Sequence, residues 1–158
     1  MKNLLYSLFA VLALTCAFTA CSDDNADEVI NYSTTPEKAS EGTYTGTWTR
    51  ALLSDATVSQ TYEGEVVLVA TDSVGVTDVT FSCPDISLDA TSVANVWNSG
   101  RGFQFVNNVF TNNAANGLGT AFAGRITEDN QLTTSFTISI REGRVLTEYN
   151  YSFVGNKQ

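Results

Sequence analysis

Leu132-Thr133-Thr134-Ser135-Phe136-Thr137-Ile138-Ser139-Ile140 and Val145-Leu146-Thr147-Glu148-Tyr149-Asn150-Tyr151-Ser152-Phe153 are the stretches that decide the fold. In the first, Phe136, Ile138 and Ile140 fall on one face and Thr or Ser on the other. In the second, Val145, Thr147, Tyr149, Tyr151 and Phe153 share a face. Side chains of an extended strand point to opposite faces in turn, so a period of two marks a strand buried on one side. Glu142-Gly143 supplies the turn between them, and the pair predicts a long hairpin.

The same period runs back through the chain. Thr43 to Thr49 alternates without error, with Thr on one face and Tyr44, Gly46 and Trp48 on the other. Thr61 to Ala70 predicts a second strand through Tyr62, Val66 and Leu68, and Gly75 to Cys83 a third through Val79 and Phe81. Asp85 to Asp89 is a short fourth candidate. Residues 90 to 102 read as a strand or a single turn, because Val93, Val96 and Trp97 have helical spacing among poor helix formers. Phe103 to Phe110 is strand-like, with a phase slip at Asn107-Asn108 that suggests a bulge. Asn112 to Asn116 reads as a loop, and Leu118 to Thr127 as a strand carrying Phe122 and Ile126. The sum is about eight antiparallel strands without a helix. Strands that each bury one face either close into a barrel or stack as a sandwich. The expectation is an all-β, single antiparallel barrel, with the β-sandwich as the alternative. Tyr44, Trp48, Tyr62, Phe81, Phe122, Phe136, Tyr149, Tyr151 and Phe153 form its expected inward set.

Composition agrees with one folded domain and narrows its chemistry. Apolar residues make up 43% of the 158, enough for a core, and charged residues only 16%. The net charge is −9, and every acid lies after residue 22, so a nucleic-acid partner is not expected. No histidine is present, which removes the commonest general base and metal ligand within this chain. Glu63 and Glu65 share the face opposite Tyr62 and Val66 and read as solvated charge, not as a glycosidase pair. Asp72, Asp78, Asp85 and Asp89 lack the spacing of a calcium loop. No enzyme activity, metal or cofactor is expected.

The beginning of the chain has its own pattern. Lys2, the apolar run Leu4 to Leu14 and the small residues ending at Ala20 read as a secretory signal; the run is too short to span a bilayer. Phe18-Thr19-Ala20-Cys21 resembles the bacterial lipobox, which implies lipid attachment at Cys21; Phe18 departs from the usual Leu. Cys16 lies inside the apolar run and is the weaker candidate. Multiple acyl chains, at about 0.8 kcal/mol per buried methylene, would anchor the chain to a membrane. Ser22-Asp23-Asp24 is similar to the acidic start of Bacteroidota lipoproteins displayed on the outer membrane surface. The division expected is a signal over 1–20, a lipidated Cys and acidic flexible tether over 21–41, and the barrel over 42–158. Glu37-Lys38 is too short to predict a helix. Cys83 is then the one cysteine of the folded domain and reads as a buried small hydrophobe.

Gly42-Thr43-Tyr44-Thr45-Gly46-Thr47-Trp48 and Tyr149-Asn150-Tyr151-Ser152-Phe153-Val154-Gly155, with the lipoprotein start, resemble the calycin-like β-barrel lipoproteins of Bacteroidota. Gly46-x-Trp48 is similar to the lipocalin signature whose Trp plugs the closed end of the barrel beneath an Arg of a late strand. No Arg falls on the last strand here; Arg141 and Arg144 flank the preceding turn. The resemblance implies an envelope-anchored, non-enzymatic barrel holding a small apolar or amphipathic ligand, with Tyr44, Trp48, Tyr149 and Tyr151 as its contacts. The alternative is a solid barrel acting through its loops, as a protein-interaction module or protease inhibitor. Asp72-Ser73-Val74 resembles the O-glycosylation site of exported Bacteroidota proteins, which would place a glycan on Ser73.

Overall fold

Thr and Val, with large apolar residues at every second position, hold the backbone extended, and short turns return it alongside itself. A computed structural model describes residues 32–107 and 116–158. The signal, Cys21, the first part of the tether, and residues 108–115 with the expected bulge at Asn108 lie outside the described residues.

Eight strands follow one another: β1 (Gly42–Leu52), β2 (Asp55–Ala70), β3 (Val76–Cys83), β4 (Leu88–Ser99), β5 (Gly102–Asn107), β6 (Phe122–Ile126), β7 (Gln131–Glu142) and β8 (Val145–Lys157). Each pairs antiparallel with the next, and β8 returns to pair with β1 from Tyr44↔Lys157 to Leu52↔Tyr149. The ring is a closed up-and-down barrel. The expected inward set is inward: Tyr44, Trp48, Phe81, Phe122, Phe136, Tyr151 and Phe153 are buried, and Tyr62 and Tyr149 pack against them. Inward hydroxyls are satisfied by the sheet itself, Thr77 donating to the Val69 carbonyl at 2.9 Å and Thr134 to that of Ala123 at 2.8 Å.

Two local expectations are corrected and one left open is decided. Asp85 to Asp89 is not a separate strand: Pro84–Ile86 form a turn of 3₁₀ helix, closed by Ser87 in the left-handed region, and Leu88 and Asp89 begin the next strand. Residues 88–99 are one strand throughout, its inward positions filled by Leu88, Ala90, Ser92, Ala94 and Val96. Residues 118–121 are not part of β6; Asn116–Leu118 form a 3₁₀ turn, and Leu118 donates its amide to Ser92 Oγ.

The fourth difference matters more. A short helix, α1 (Pro36–Ser40), occupies the end of the stretch expected to be flexible tether. Proline at the first turn fits a helix start, since its missing N–H would have no partner there. Glu37 and Ser40 are buried. Glu37 accepts a hydrogen bond from the Gly75 amide at 2.8 Å, and Tyr44 donates its hydroxyl to the Ser40 carbonyl at 2.8 Å. Gly75 lies in the β2–β3 turn and Tyr44 near the start of β1, so α1 closes that end of the barrel. Ser33 is tied to the same end through Asn98, which it contacts by two hydrogen bonds.

Candidate functional site

The barrel axis is filled by aromatic rings. Trp48 lies 5.0 Å from Phe153, 5.6 Å from Phe136 and 6.1 Å from Phe81, centroid to centroid. Phe81 continues to Phe122, Phe122 to Phe105, and Phe136 stacks on Tyr151 at 5.5 Å. Such tilted and stacked pairs each add about 0.5–1.5 kcal/mol beyond their burial. Room for these rings comes from glycine on the neighbouring strand. A Cβ at Gly64 would lie 2.6 Å from the Trp48 ring, and one at Gly124 2.1 Å from that of Phe105. The Trp48 indole donates to the Ser82 carbonyl at 3.2 Å, which fixes the ring across the axis.

This arrangement separates the four residues predicted to touch a ligand. Tyr44 and Trp48 are fully buried and Tyr151 is 4% exposed, all three inside the packed column. Burial pushes the Tyr44 phenol up to about 12, so it stays a neutral donor to Ser40. Tyr44, not Trp48, is the residue that meets the plugging helix. Trp48 is flanked by phenylalanines, and no Arg stacks on it; Arg50, on β1, lies over the Tyr149 ring at 4.9 Å. Of the four, only Tyr149 reaches the open end.

At that end the ring is uneven. Pairing of β2 with β3 stops at Glu65↔Ser82, and pairing of β6 with β7 stops at Phe122↔Phe136. Beyond those points β2, β1, β8 and β7 pair only with one another among the described residues. Two long hairpins therefore project past the rim as one curved four-stranded sheet. Its concave face continues the inward face of the barrel: Arg50, Leu52, Tyr62, Ile138, Ile140 and Tyr149, all partly exposed. Tyr62 donates its hydroxyl to Gln60 on the same face. The floor is Trp48, Phe136 and Tyr151. The tips carry Leu53, Val58, Val145 and Leu146, each more than half exposed. A notch of about 540 Å³ lies between them, lined by Leu52, Leu53, Ser54, Leu146, Thr147 and Glu148. Apolar groups concentrated in this way mark an interaction surface more than isolated exposed residues do. From sequence alone the inward set was visible but the overhang was not, because it depends on where β3 and β6 stop.

The remaining predicted positions are scattered. Ser73 and Val74 lie exposed in the β2–β3 turn at the closed end. Glu63 is exposed on the outer face, and Asp72, Asp85 and Asp89 are exposed too. Cys83 is buried, and its thiol, pushed up by burial, donates to the Glu63 carbonyl at 3.5 Å. Among the described residues no three acidic or cysteine side chains gather into a metal-binding group. Comparison with family models, with curated proteins and with solved structures found no match.

Proposed function

We propose that this protein is a non-enzymatic lipoprotein, held at the outer membrane surface through Cys21, whose barrel is a rigid stand for an apolar docking face. The observation that carries the reading is the contrast between a column of rings along the axis and a concave overhang of Tyr62, Arg50, Leu52, Tyr149, Ile138 and Ile140 above it. Pockets for small molecules are concave and enclose most of their ligand. The overhang is open on one side and suits a polypeptide surface better than a buried lipid. The reading is therefore the solid barrel acting at its open end, as a protein-interaction module, and the enclosed small ligand is the second choice.

The position of α1 supports the orientation. The chain enters the barrel at the closed end, where Ser33 and α1 are tied. A tether from Cys21 would hold that end toward the membrane and the overhang away from it. Ser73 would sit on the membrane side, where a glycan would leave the docking face clear.

A photo-crosslinking amino acid in place of Tyr149, in cells carrying the lipidated protein, tests the reading. Polypeptide adducts at 149, and none from the same probe at Ala123 on the outer wall, are expected. A co-purified lipid in native mass spectra of the intact protein, with no polypeptide adduct, would replace this reading with the small-ligand one.

A further inference from the structure

We propose that the overhang captures its partner by strand addition: an extended, neutral-to-basic polypeptide segment pairs with the free edge of β2 at Ser59 and Thr61. The proposal rests on the docking-face reading above and adds to it the mode of binding and the chemistry of the partner.

The direction of the β2 backbone is fixed by its neighbours. In an antiparallel ladder, alternate residues direct both backbone groups to one side. Thr43 accepts from Gln158 on the β8 side of β1, so the even residues of β1 face β2. Their partners, Val66, Gly64, Tyr62 and Gln60, face β1 in return. The odd residues of β2 face the other way. Val69 and Glu63 agree, accepting from Thr77 and Cys83 of β3. Ser59 and Thr61 therefore direct their N–H and C=O groups off the edge, above the last β3 partner, with no strand beside them among the described residues.

Natural edges are blunted by charge, proline or a bulge. Here a register shift lies at one side: Ala51 and Leu52 of β1 pair with Ser59 and Asp55, so Ala56, Thr57 and Val58 are extra residues between them, and the regular edge begins at Ser59. At one end Asp55 accepts from the amide and hydroxyl of Thr57, which hold its carboxyl below the usual range. At the other, the Cys83 thiol covers Glu63. Between the bulge and Glu63, the regular run Ser59-Gln60-Thr61-Tyr62 has no carboxylate, no cation, no Pro and no Gly, so no blunting residue stands on this short edge.

Charge selects the occupant. Asp55, Glu63 and Glu65 flank this edge on a chain of net charge −9. A second copy, also of net charge −9, would bring its own Asp55, Glu63 and Glu65 alongside these carboxylates. Like charges directly opposite are destabilising, so self-pairing is disfavoured and a strand with basic ends is favoured. On the concave side, Tyr62 would receive an apolar side chain from the incoming strand.

The test uses the full-length lipidated protein in detergent and the capped peptide Lys-Val-Thr-Val-Thr-Val-Lys, read by isothermal titration. Two further peptides carry N-methyl groups, one on the Thr amides and one on the Val amides. Antiparallel addition needs the Thr amides and parallel addition needs the Val amides. Binding by the parent, lost in one methylated peptide and kept in the other, is expected. Thr61→Pro removes an edge N–H that no ladder bond uses and lowers affinity by about tenfold, the loss of one backbone hydrogen bond. Thr61→Ala keeps the backbone and binds like the native protein. Should Thr61→Pro fail to fold, the methylated pair decides alone. No binding by the parent peptide, or methylated peptides that both bind or both fail, overturns strand addition. A dimer in sedimentation that Thr61→Pro dissolves overturns the choice of occupant. Adducts at position 149 together with a flat peptide series would leave the docking face standing and remove only this mechanism.

Discussion

Trp48 gathers the most consequence into one side chain. It touches Phe81, Phe136 and Phe153, its N–H is spent on Ser82, and Gly64 gives way beneath it. Trp48→Ala therefore leaves a cavity that several strands cannot collapse around, and is expected to cost about 3–5 kcal/mol in urea unfolding. Gly124→Ala is a cost of the opposite kind, driving a methyl into the Phe105 ring, and should lower stability by about 1–3 kcal/mol in the same measurement. Tyr44 gives a pH signature. Its phenol titrates near 12 when folded and near 10.0 when free, so the folded state keeps a proton that the unfolded state releases. Stability is then complete below about pH 10 and falls as pH rises toward 12. Tyr44→Phe is expected to flatten that fall, at a cost of about 0.5–1.5 kcal/mol at neutral pH for the lost bond to Ser40. Chemical denaturation on both sides of pH 10 checks both.

Elements differ in how openly the sequence announces them. β7 and β8 are legible because Phe136, Ile138, Tyr149, Tyr151 and Phe153 contrast with Thr and Ser at every step. β4 is obscure for a packing reason. Its inward positions Ala90, Ser92 and Ala94 are small, leaving volume for Phe81, Phe105 and Leu118, while the large Trp97 points outward. Hydrophobic contrast then runs against the true face and mimics a helical spacing. The first half of β2 is silent because it is an exposed edge with no buried side to report. α1 has no apolar stripe at all; buried Glu37 and Ser40 hold it, and their partners Gly75 and Tyr44 are remote or unmarked in sequence. Glu37→Ala leaves the Gly75 amide without its acceptor and should cost about 1–3 kcal/mol. Hydrogen exchange at Gly75 should quicken more than that of the β7–β8 amides, because the plug loosens before the ring does.

At the scale of the molecule, the inside of the barrel was largely readable and the overhang proposed as its docking face was not. Alternation names the residues that face the axis, and that set is the observed core. It does not say how far each strand extends, and the candidate site exists because β3 and β6 end early while β1, β2, β7 and β8 continue. Anchoring is tested at the same scale. Cys21→Ala is expected to shift the protein from the membrane pellet to the soluble fraction without altering its unfolding midpoint, since Glu37 and Ser40 of α1 find their partners in Gly75 and Tyr44 of the barrel. Retention of that variant in the membrane would remove Cys21 as the attachment point.

The seam between β1 and β8 sets an order on assembly. A ribosome delivers β1 early and β8 late, and every other pairing joins neighbours along the chain. Before β8 is in place, the first seven strands can pair only as an open ribbon with β1 as one border. Only the arrival of β8 closes it, and until then the rings around Trp48 lack Phe136, Phe153 and their dryness. Whatever holds the β1 border during that interval, a chaperone or a stray chain, decides whether the ribbon becomes a cylinder or an aggregate.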